Sequence, residues 1–388
     1  MTPTRGHVVA ALGTTQTIAW ASSYYLPAVL VDPIARDLGL PADGILLAFS
    51  FALILSAVVA PAVGRAIDRT GGRGILSASN LVLATGLAML AAAQGAWSMT
   101  AAWAVLGVGM GMGLYDAAFA ALARIYGHTA RGPITGITLI AGFASTIGWP
   151  ITAALDVAFD WRTACLFWAV VHLVVCLPLN LGVLPRGAAG STEGGHAVEA
   201  PPATRHEIVV MGLLAFAFAA AWFVTGAMAT HLPRILQAAG ATPAQAIGFA
   251  ALIGPAQVAA RLAEFALIRR VHPVISARFA TTLHPIGVVA LALLGPPGMA
   301  VFAVLHGAGN GLLTIAKGTV PLALLGPAGY GYRQALISAP ARLTQATSPV
   351  LFGLLVTRYG ADALWFSAAL IVIASVTFMF LRVPARDP

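Results

Sequence analysis

Charged residues are scarce in this chain of 388 residues, at 9% of the total against about 25% in soluble domains. Lysine is nearly absent: Lys317 is the single lysine, and the other residues of the Lys and Arg total of 21 are arginines. Hydrophobic residues make up 59% of the sequence. This composition excludes an ordinary soluble domain and predicts an integral membrane protein.

Cysteine is also rare. Cys165 and Cys176 lie on one predicted helix, about 16 Å apart at a rise of 1.5 Å per residue, which is too far for a disulfide. They share a helix face with His172, and such a face could bind a soft metal ion. The commoner role of a free cysteine is that of a small buried hydrophobe. We therefore predict no metal site and no cofactor.

Polar stretches are absent apart from residues 185–206, which are rich in Gly, Ala, Pro and Ser and predict a flexible linker. Apolar segments long enough to cross about 30 Å of hydrocarbon fill the remainder. Twelve segments are predicted, at 8–30, 43–63, 74–94, 99–123, 134–156, 163–183, 208–230, 243–266, 276–295, 299–324, 334–356 and 363–383. The predicted fold is an all-α membrane protein with twelve transmembrane helices in two pseudo-symmetric six-helix bundles, 1–184 and 207–388.

Basic residues are unevenly distributed between the predicted loops. With the N-terminus inside, fifteen lie on the cytoplasmic side, and the outer side has only Arg36, Arg162, Arg234 and Arg358. This is the positive-inside bias, and it predicts that both termini are cytoplasmic. The net charge of +8 is therefore explained by topology, and no nucleic-acid partner is predicted.

The two halves resemble each other in sequence. The run GVGMGMGLYDAAFA in segment four matches GAGNGLLTIAKGTV in segment ten, and Pro150 in segment five matches Pro349 in segment eleven. The matching glycines are Gly107, Gly109 and Gly111 in the first half and Gly307, Gly309 and Gly311 in the second. Small residues of this kind let membrane helices approach closely. Paired six-helix halves are typical of transporters.

The loop after segment two carries the sequence GRAIDRTGGR, in which five positions match a known signature: Gly64, Asp68, Arg69, Gly71 and Arg73. It resembles the cytoplasmic loop motif of the major facilitator superfamily. The tripeptide Asp160-Trp161-Arg162 resembles the Gly-Trp-Arg found before segment six of that family. A weaker echo of the loop motif is formed in the second half by Arg261 and Glu264.

The resemblance implies a secondary transporter that works by alternating access, in which the loop motif braces the two halves and controls their movement. Many drug exporters of the superfamily have an arginine in segment four where this chain has Trp103. The resemblance therefore does not extend to that group.

Three ionisable residues lie within predicted spans: Asp116, Lys317 and Arg342. Such residues are rare in membranes and generally face a bundle interior or a water-filled cavity. In one hypothesis Lys317 and Arg342 hold an anionic solute while Asp116 carries a coupling proton. In a second, Asp116 and Lys317 form a gating ion pair that never touches solute. In a third, the charges only satisfy polar groups of the bundle.

Other polar residues in the spans are further candidates for solute contact. His306 and Asn310 share a helix face with Lys317, as their spacing shows. Gln16 and Trp20 share a face of segment one, which lines the central cavity in the family architecture. For Asn310, a hydrogen bond between helices is an equally good interpretation.

The sequence thus predicts a secondary active transporter that moves a small solute, with an organic anion as the leading class and protons as the coupling ion. An exporter of a toxic compound, drug or metalloid is the alternative within transport. A non-transporting membrane sensor is the alternative from another class. No cluster of His, Asp or Glu indicates an enzyme. We predict a monomer in the bacterial inner membrane whose partners are the solute, protons and the lipid bilayer.

Overall fold

The computed structural model describes residues 4–185, 204–267 and 271–382, and within these ranges the chain is helical and has no β-strand. The described residues form two compact units. Unit 1 contains those of Met1–Ala200 together with Gly326–Ala335, and unit 2 contains those of Pro201–Leu325 and Leu336–Pro388. Most of the predicted linker lies outside the described residues, and the predicted bundle boundaries stay a prediction.

Unit 1 contains ten α-helices. They are α1 (Arg5–Ala19), α2 (Pro27–Leu38), α3 (Ala42–Thr70), α4 (Gly72–Ala91), α5 (Ala96–Gly113), α6 (Tyr115–Tyr126), α7 (Arg131–Ile140), α8 (Ala144–Ala158), α9 (Trp161–Val171) and α10 (Leu177–Val183). A π-helical turn, Trp20–Tyr24, follows α1, and a second, His172–Cys176, joins α9 to α10. Such turns disturb the regular helical ladder and are frequent at functional sites.

Unit 2 contains seven α-helices. They are α11 (Arg205–Ala238), α12 (Pro243–Ala251), α13 (Ile253–Ala266), α14 (Pro273–Leu294), α15 (Pro296–Leu325), α16 (Tyr330–Tyr359) and α17 (Ala363–Met379). The first residues of α16 fall within Gly326–Ala335 and are counted with unit 1. A capping box starts α11, in which Thr204 and Glu207 exchange hydrogen bonds with each other's backbone.

Nine helical stretches of the described chain are long and apolar enough to cross a membrane. Two are composite, since Ala96–Ala158 contains predicted segments four and five, and Tyr330–Met379 contains eleven and twelve. Segment one is divided by its π-helical turn, which leaves α1 only 15 residues long. All twelve predicted segments therefore coincide with helical structure.

Large apolar side chains point outward from these helices. Val58 in α3 is 67% exposed, and Leu293 in α14 is 79% exposed. Extended apolar surfaces are rare on soluble monomers and mark membrane or protein contacts. Together with the nine spans, they define an integral multi-pass membrane protein, which confirms the predicted fold class.

The glycines of segment four bring α5 close to its neighbours in unit 1. A β-carbon built on Gly107 would lie 2.5 Å from the carbonyl oxygen of Ala52, and one on Gly111 would lie 3.0 Å from that of Ser56. Both neighbours belong to α3. Gly109 faces α4 instead. The glycines are needed because no side chain fits between these backbones.

The matching glycines of α15 repeat this arrangement in unit 2. A β-carbon on Gly307 would lie 2.7 Å from the carbonyl oxygen of Ile253, and one on Gly311 would lie 2.6 Å from that of Gln257, both in α13. Gly309 faces α14. The sequence repeat is therefore a repeat of helix packing, with α3 and α4 of unit 1 matched by α13 and α14 of unit 2.

Substitution of Gly107 or Gly307 by alanine should destabilise the protein. The added methyl group would overlap a backbone oxygen, and overpacking of this kind costs about 1–3 kcal/mol. We expect a lower melting temperature for both variants in detergent, measured by fluorescence-detected size exclusion. Gly212→Ala is the matched control, because a β-carbon at Gly212 in α11 meets nothing within 4 Å. Equal melting temperatures for all three variants would contradict the packing described here.

Candidate functional site

The carboxylate of Asp68, near the end of α3, caps the start of α16. It accepts the backbone N–H of Gly331 at 2.8 Å and that of Tyr332 at 2.9 Å. The N–H groups in the first turn of a helix have no partner within the helix, and negative charge is stabilised there. The Arg65 guanidinium lies 4.7 Å from the centre of the Tyr332 ring. All these residues belong to unit 1.

The glycines of the loop motif have separate structural roles. A β-carbon on Gly64 would collide with the backbone of Gly331. Gly71 adopts φ of 85° in the turn between α3 and α4, a conformation that favours glycine. Arg69 is exposed in the last turn of α3, where a positive charge suits the helix C-terminus. Arg73 follows in the first turn of α4.

The weaker second copy of this motif, formed by Arg261 and Glu264, lies inside unit 2. Arg261 and Glu264 in α13 are both buried. Arg261 donates hydrogen bonds to the side chains of Gln257, at 3.4 Å, and Thr314, at 3.5 Å. Glu264 accepts one from the Ser276 hydroxyl at 3.1 Å. Glu264 therefore joins α13 to α14, and Arg261 joins α13 to α15.

Segment four is interrupted in the middle. The helix α5 ends at Gly113, Leu114 is extended with φ of −81° and ψ of −174°, and α6 begins at Tyr115. The Gln16 amide of α1 donates to the Gly113 carbonyl at 2.6 Å. It thus satisfies a backbone oxygen that the interruption leaves without a helical partner.

Asp116 lies in the first turn of α6, directly after the interruption, and is buried. Its carboxylate accepts a hydrogen bond from the Gln334 side-chain amide at 3.3 Å. Gln334 is itself buried and belongs to the part of α16 counted with unit 1. Gln334 was not predicted as a site residue, because 218 positions of sequence separate it from Asp116.

Trp20, in the first π-helical turn, is the centre of an aromatic cluster. Its ring lies 4.9 Å from that of Tyr115 and 5.0 Å from that of Tyr24. Tyr115 in turn stacks on Phe119 at 5.3 Å, with ring planes 10° apart. Tyr25 contacts the Trp149 ring at 6.0 Å, so the two neighbouring tyrosines belong to the same group of rings.

Besides Arg261, two more lysine or arginine side chains are buried in unit 2. Lys317 in α15 is 7% exposed, and its ammonium lies 5.0 Å from the centre of the Trp222 ring of α11. An aromatic face at this distance attracts a cation. Arg342 in α16 is 9% exposed. Asp116 belongs to unit 1, and its pairing with Lys317 stays a prediction.

His306 of α15 takes part in a hydrogen-bonded chain within unit 2. The Ser367 hydroxyl donates to the Leu364 carbonyl at 2.7 Å, so it accepts from Nε2–H of His284 at 3.0 Å. Nδ1 of His284 then accepts from Nδ1–H of His306 at 2.9 Å. This network assigns the tautomers of both rings. His284, on α14, was not among the predicted site residues.

Asn310 makes a hydrogen bond between two helices, which is the alternative to solute contact for this residue. Its side chain is hydrogen bonded to the Thr225 hydroxyl of α11 at 3.1 Å. Asn310 and His306 also line a small cavity of about 20 Å³. That volume is enough for one water molecule. These two residues of the predicted polar face thus lie in the helix packing of unit 2.

His172 of segment six is fully buried and has partners at both ring nitrogens. Nε2 lies 2.8 Å from the Ser22 hydroxyl, and Nδ1 lies 2.9 Å from the Asn80 side-chain oxygen. Both cysteines of the segment are buried as well. Within the described ranges, no three His, Cys, Asp or Glu residues are arranged to hold a metal ion.

The Asp-Trp-Arg tripeptide organises the loop before α9. Asp160 caps α9 by accepting the Thr163 N–H at 2.6 Å, and this hydrogen bond lowers the pKa of its carboxyl group. The Arg162 guanidinium is paired with Asp37 and donates to the Ala93 carbonyl at 2.8 Å. The hydrogen bond from Arg162 lowers the pKa of Asp37.

A helical membrane protein with paired units, an interrupted span and buried charges inside the apolar region belongs to the class of multi-pass transporters. The sequence profile of the Major Facilitator Superfamily matches residues 12–298. The chain therefore belongs to the Major Facilitator Superfamily. Members of this superfamily are transporters of small solutes, and the chain is a secondary transporter.

Similar proteins are known from sequence and structure. The chain is 29% identical over 350 residues to an uncharacterized 38 kDa protein in the 23S RNA operon of Thermoproteus tenax, covering 83% of this chain and 87% of that protein. The human organic anion transporter MFSD10 (TETRAN) is similar in structure, with a TM-score of 0.71, 17% identity, and coverage of 97% of this chain and 100% of that chain. The E. coli fucose:proton symporter FucP has a TM-score of 0.74, 14% identity, and coverage of 96% and 98%. At these identities the structural likeness concerns the fold.

Removal of the Asp68 carboxylate should loosen the start of α16. Asp68→Ala leaves the N–H groups of Gly331 and Tyr332 without their acceptor, and loss of a helix cap costs about 0.5–2 kcal/mol. We expect faster hydrogen–deuterium exchange in the peptide covering 326–335. Asp68→Asn should be intermediate, because the amide retains one acceptor oxygen.

The control for this prediction is Asp32→Ala, which removes an exposed carboxylate of α2 in the same unit. It should leave exchange in 326–335 unchanged. Equal exchange in wild type and Asp68→Ala would show that the cap contributes nothing to the order of α16.

Proposed function

We propose that this protein moves a small organic anion across the bacterial inner membrane by alternating access, driven by a proton gradient. The observation that carries the proposal is the burial of two basic side chains, Lys317 and Arg342, in unit 2. Buried cations are expensive inside a membrane and generally serve a solute or ion pathway. An anionic solute is complementary to their positive charge.

The chemistry of both side chains suits a carboxylate. An arginine guanidinium can donate two parallel hydrogen bonds to it, and a lysine ammonium adds a point charge. Trp222 beside Lys317 supports a positive charge before the anion arrives, because its ring face attracts the ammonium. A bare apolar wall would instead favour loss of the lysine proton.

Asp116 is the proposed carrier of the coupling proton. It is a buried carboxyl group at the interruption of segment four, and it accepts a hydrogen bond from the neutral amide of Gln334. An amide N–H can bond to a carboxyl oxygen whether or not the acid is protonated. Such a partner fits a group that must exist in both states during a transport cycle.

Two proteins with similar folds support the proposal. MFSD10 is described as an organic anion transporter, and FucP as a proton symporter. Both share the fold of this chain, and carry-over of their solutes or coupling ion is part of the proposal. The distribution of arginines favours two cytoplasmic termini, and we propose that the protein functions as a monomer.

The loop motif supplies the proposed conformational control. Asp68 caps the first turn of α16, while the rest of that helix, beyond residue 335, belongs to unit 2. We attribute to this cap a role in the transport cycle, forming in one conformation and opening in another. The motif is thus proposed to act on α16 through its N-terminus.

Lys317→Gln separates the solute-site and gating hypotheses. If Lys317 holds the anion, loss of its charge should weaken carboxylate binding by about 10- to 100-fold, the range expected for a charged hydrogen bond. Isothermal titration calorimetry of the purified protein with a panel of mono- and dicarboxylates measures this. Lys317→Arg should retain most of the affinity.

Arg358→Gln is the control, because it removes an exposed arginine of α16 in the same unit. Its binding should equal that of wild type. If Lys317→Gln binds carboxylates as tightly as wild type but no longer transports them in proteoliposomes, the gating ion pair with Asp116 is the correct account. Impaired growth of a deletion strain in the presence of toxic compounds, with no change in its growth on carboxylates, would instead favour an exporter.

A further inference from the structure

The interruption of segment four occurs in one half of the repeat only. In unit 1, α5 ends at Gly113 and α6 begins at Tyr115, whereas α15 runs unbroken from Pro296 to Leu325 past its own matching glycines. Irregular backbone at membrane depth is tolerated where it is buried in protein or lines a cavity. Discontinuous helices are a recurrent feature of solute sites in transporters.

Gln16 presents an unused acceptor at this interruption. The residue is only 2% exposed, and its amide nitrogen is fixed by the Gly113 carbonyl. Its side-chain oxygen is buried and has no hydrogen-bond partner within the described part of the chain. A buried acceptor left unsatisfied is destabilising, so a donor group brought by a ligand would be stabilised there.

Trp20 presents an unused donor four residues further along the same helix face. Its Nε1–H is buried and likewise has no partner among the described residues. The Trp20 ring lies 4.9 Å from Tyr115, the first residue of α6, and 5.0 Å from Tyr24. All three rings are only partly buried. A buried acceptor on Gln16 and a buried donor on Trp20 therefore lie on one helix face, beside the break and the aromatic rings.

A hydroxylated aromatic ring matches this combination. A flat ring can pack against Trp20 and Tyr115 in the offset or edge-on geometry that aromatic pairs prefer. A ring hydroxyl can donate to the Gln16 oxygen and accept from the Trp20 Nε1–H, because a hydroxyl does both. A saturated ring has similar bulk but lacks the flat aromatic face. A short aliphatic acid has the same charge but lacks both the aromatic face and the ring hydroxyl.

We infer that the break in segment four, with Gln16, Trp20 and Tyr115, is a recognition site for a hydroxylated aromatic ring. The inference rests on the geometry of unit 1 for the ring, and on the proposed function only in that the ring belongs to a transported solute. Trp20 and Gln16 are specificity-determining residues in this account.

The test compares 4-hydroxybenzoate, benzoate and cyclohexanecarboxylate, which share one carboxylate and differ in ring and hydroxyl. Titration calorimetry of the purified full-length protein should give affinities in that order, with roughly tenfold between the first and the last, the sum of an aromatic contact and a hydrogen bond. Equal affinities for the three acids would overturn the inference and leave the proposed function intact.

Variants of Trp20 locate the preference in the site. Trp20→Leu should erase the advantage of benzoate over cyclohexanecarboxylate, while Trp20→Phe should keep it and reduce the advantage of the hydroxyl group. Trp97→Leu, which removes a fully accessible tryptophan at the start of α5, should change neither. Unchanged binding of cyclohexanecarboxylate by Trp20→Leu shows that this variant is folded. A Trp20→Leu protein that retains the full preference would overturn the inference.

Neutral 4-hydroxybenzyl alcohol separates the ring site from the anion site. If it binds in a manner that depends on Trp20 while none of the acids binds, the ring site stands and the organic-anion assignment falls. If neither the alcohol nor any acid binds, both the inference and the proposed function are overturned.

Discussion

In the hydrocarbon of a bilayer, backbone N–H and C=O groups have no water to bond, and each must find a partner inside the protein. This constraint shapes the features of the chain that bear on function. Where a helix starts or stops, a side chain from elsewhere in the sequence supplies the missing partner. Gln16 does so for the Gly113 carbonyl, and Asp68 does so for the first N–H groups of α16. The residues most closely tied to the proposed function are therefore also those that make irregular backbone tolerable.

The same solvent removes the hydrophobic drive between helices, because lipid tails are as apolar as the helix surfaces. Close contact of backbones replaces it, and the repeated glycines on α5 and α15 provide that contact in both units. Against this shared packing, the differences between the halves stand out. Unit 1 has the broken span, the aromatic cluster around Trp20 and the buried Asp116, and unit 2 has the buried Lys317 and Arg342 and a continuous α15. The candidate site residues therefore differ between the halves, although the helix packing is shared.

Much of the fold was predictable from the sequence, because hydrophobic length and glycine spacing are local signals. The apolar runs gave the twelve segments, and the glycine repeat predicted the matching contacts around Gly107 and Gly307. The loop motif marked Asp68 as a residue of conformational control, although the sequence did not tell which helix it contacts. The glycine at position 71 was also predictable from local sequence, because the turn between α3 and α4 requires a positive φ there.

Partners that are distant in sequence could not be predicted in this way. No pattern links Asp116 to Gln334, or Lys317 to Trp222, since each pair forms only after the helices have packed. The break at Leu114 was also missed, because the glycine-rich run before it predicts close packing as readily as a helix end. Likewise, His306 and Asn310 share a face with Lys317 by spacing. Their actual neighbours, His284 and Thr225, depend on which helices lie beside α15.

Proton-driven accumulation of a carboxylate tests the central claim most directly. Wild-type protein in proteoliposomes would be given radiolabelled 4-hydroxybenzoate or succinate in the presence and absence of an imposed pH gradient. The account predicts accumulation above the external concentration for at least one organic acid when the gradient is present, and its collapse on addition of a protonophore. Uptake that only equilibrates and ignores the gradient, or the absence of uptake of any organic acid, would contradict it.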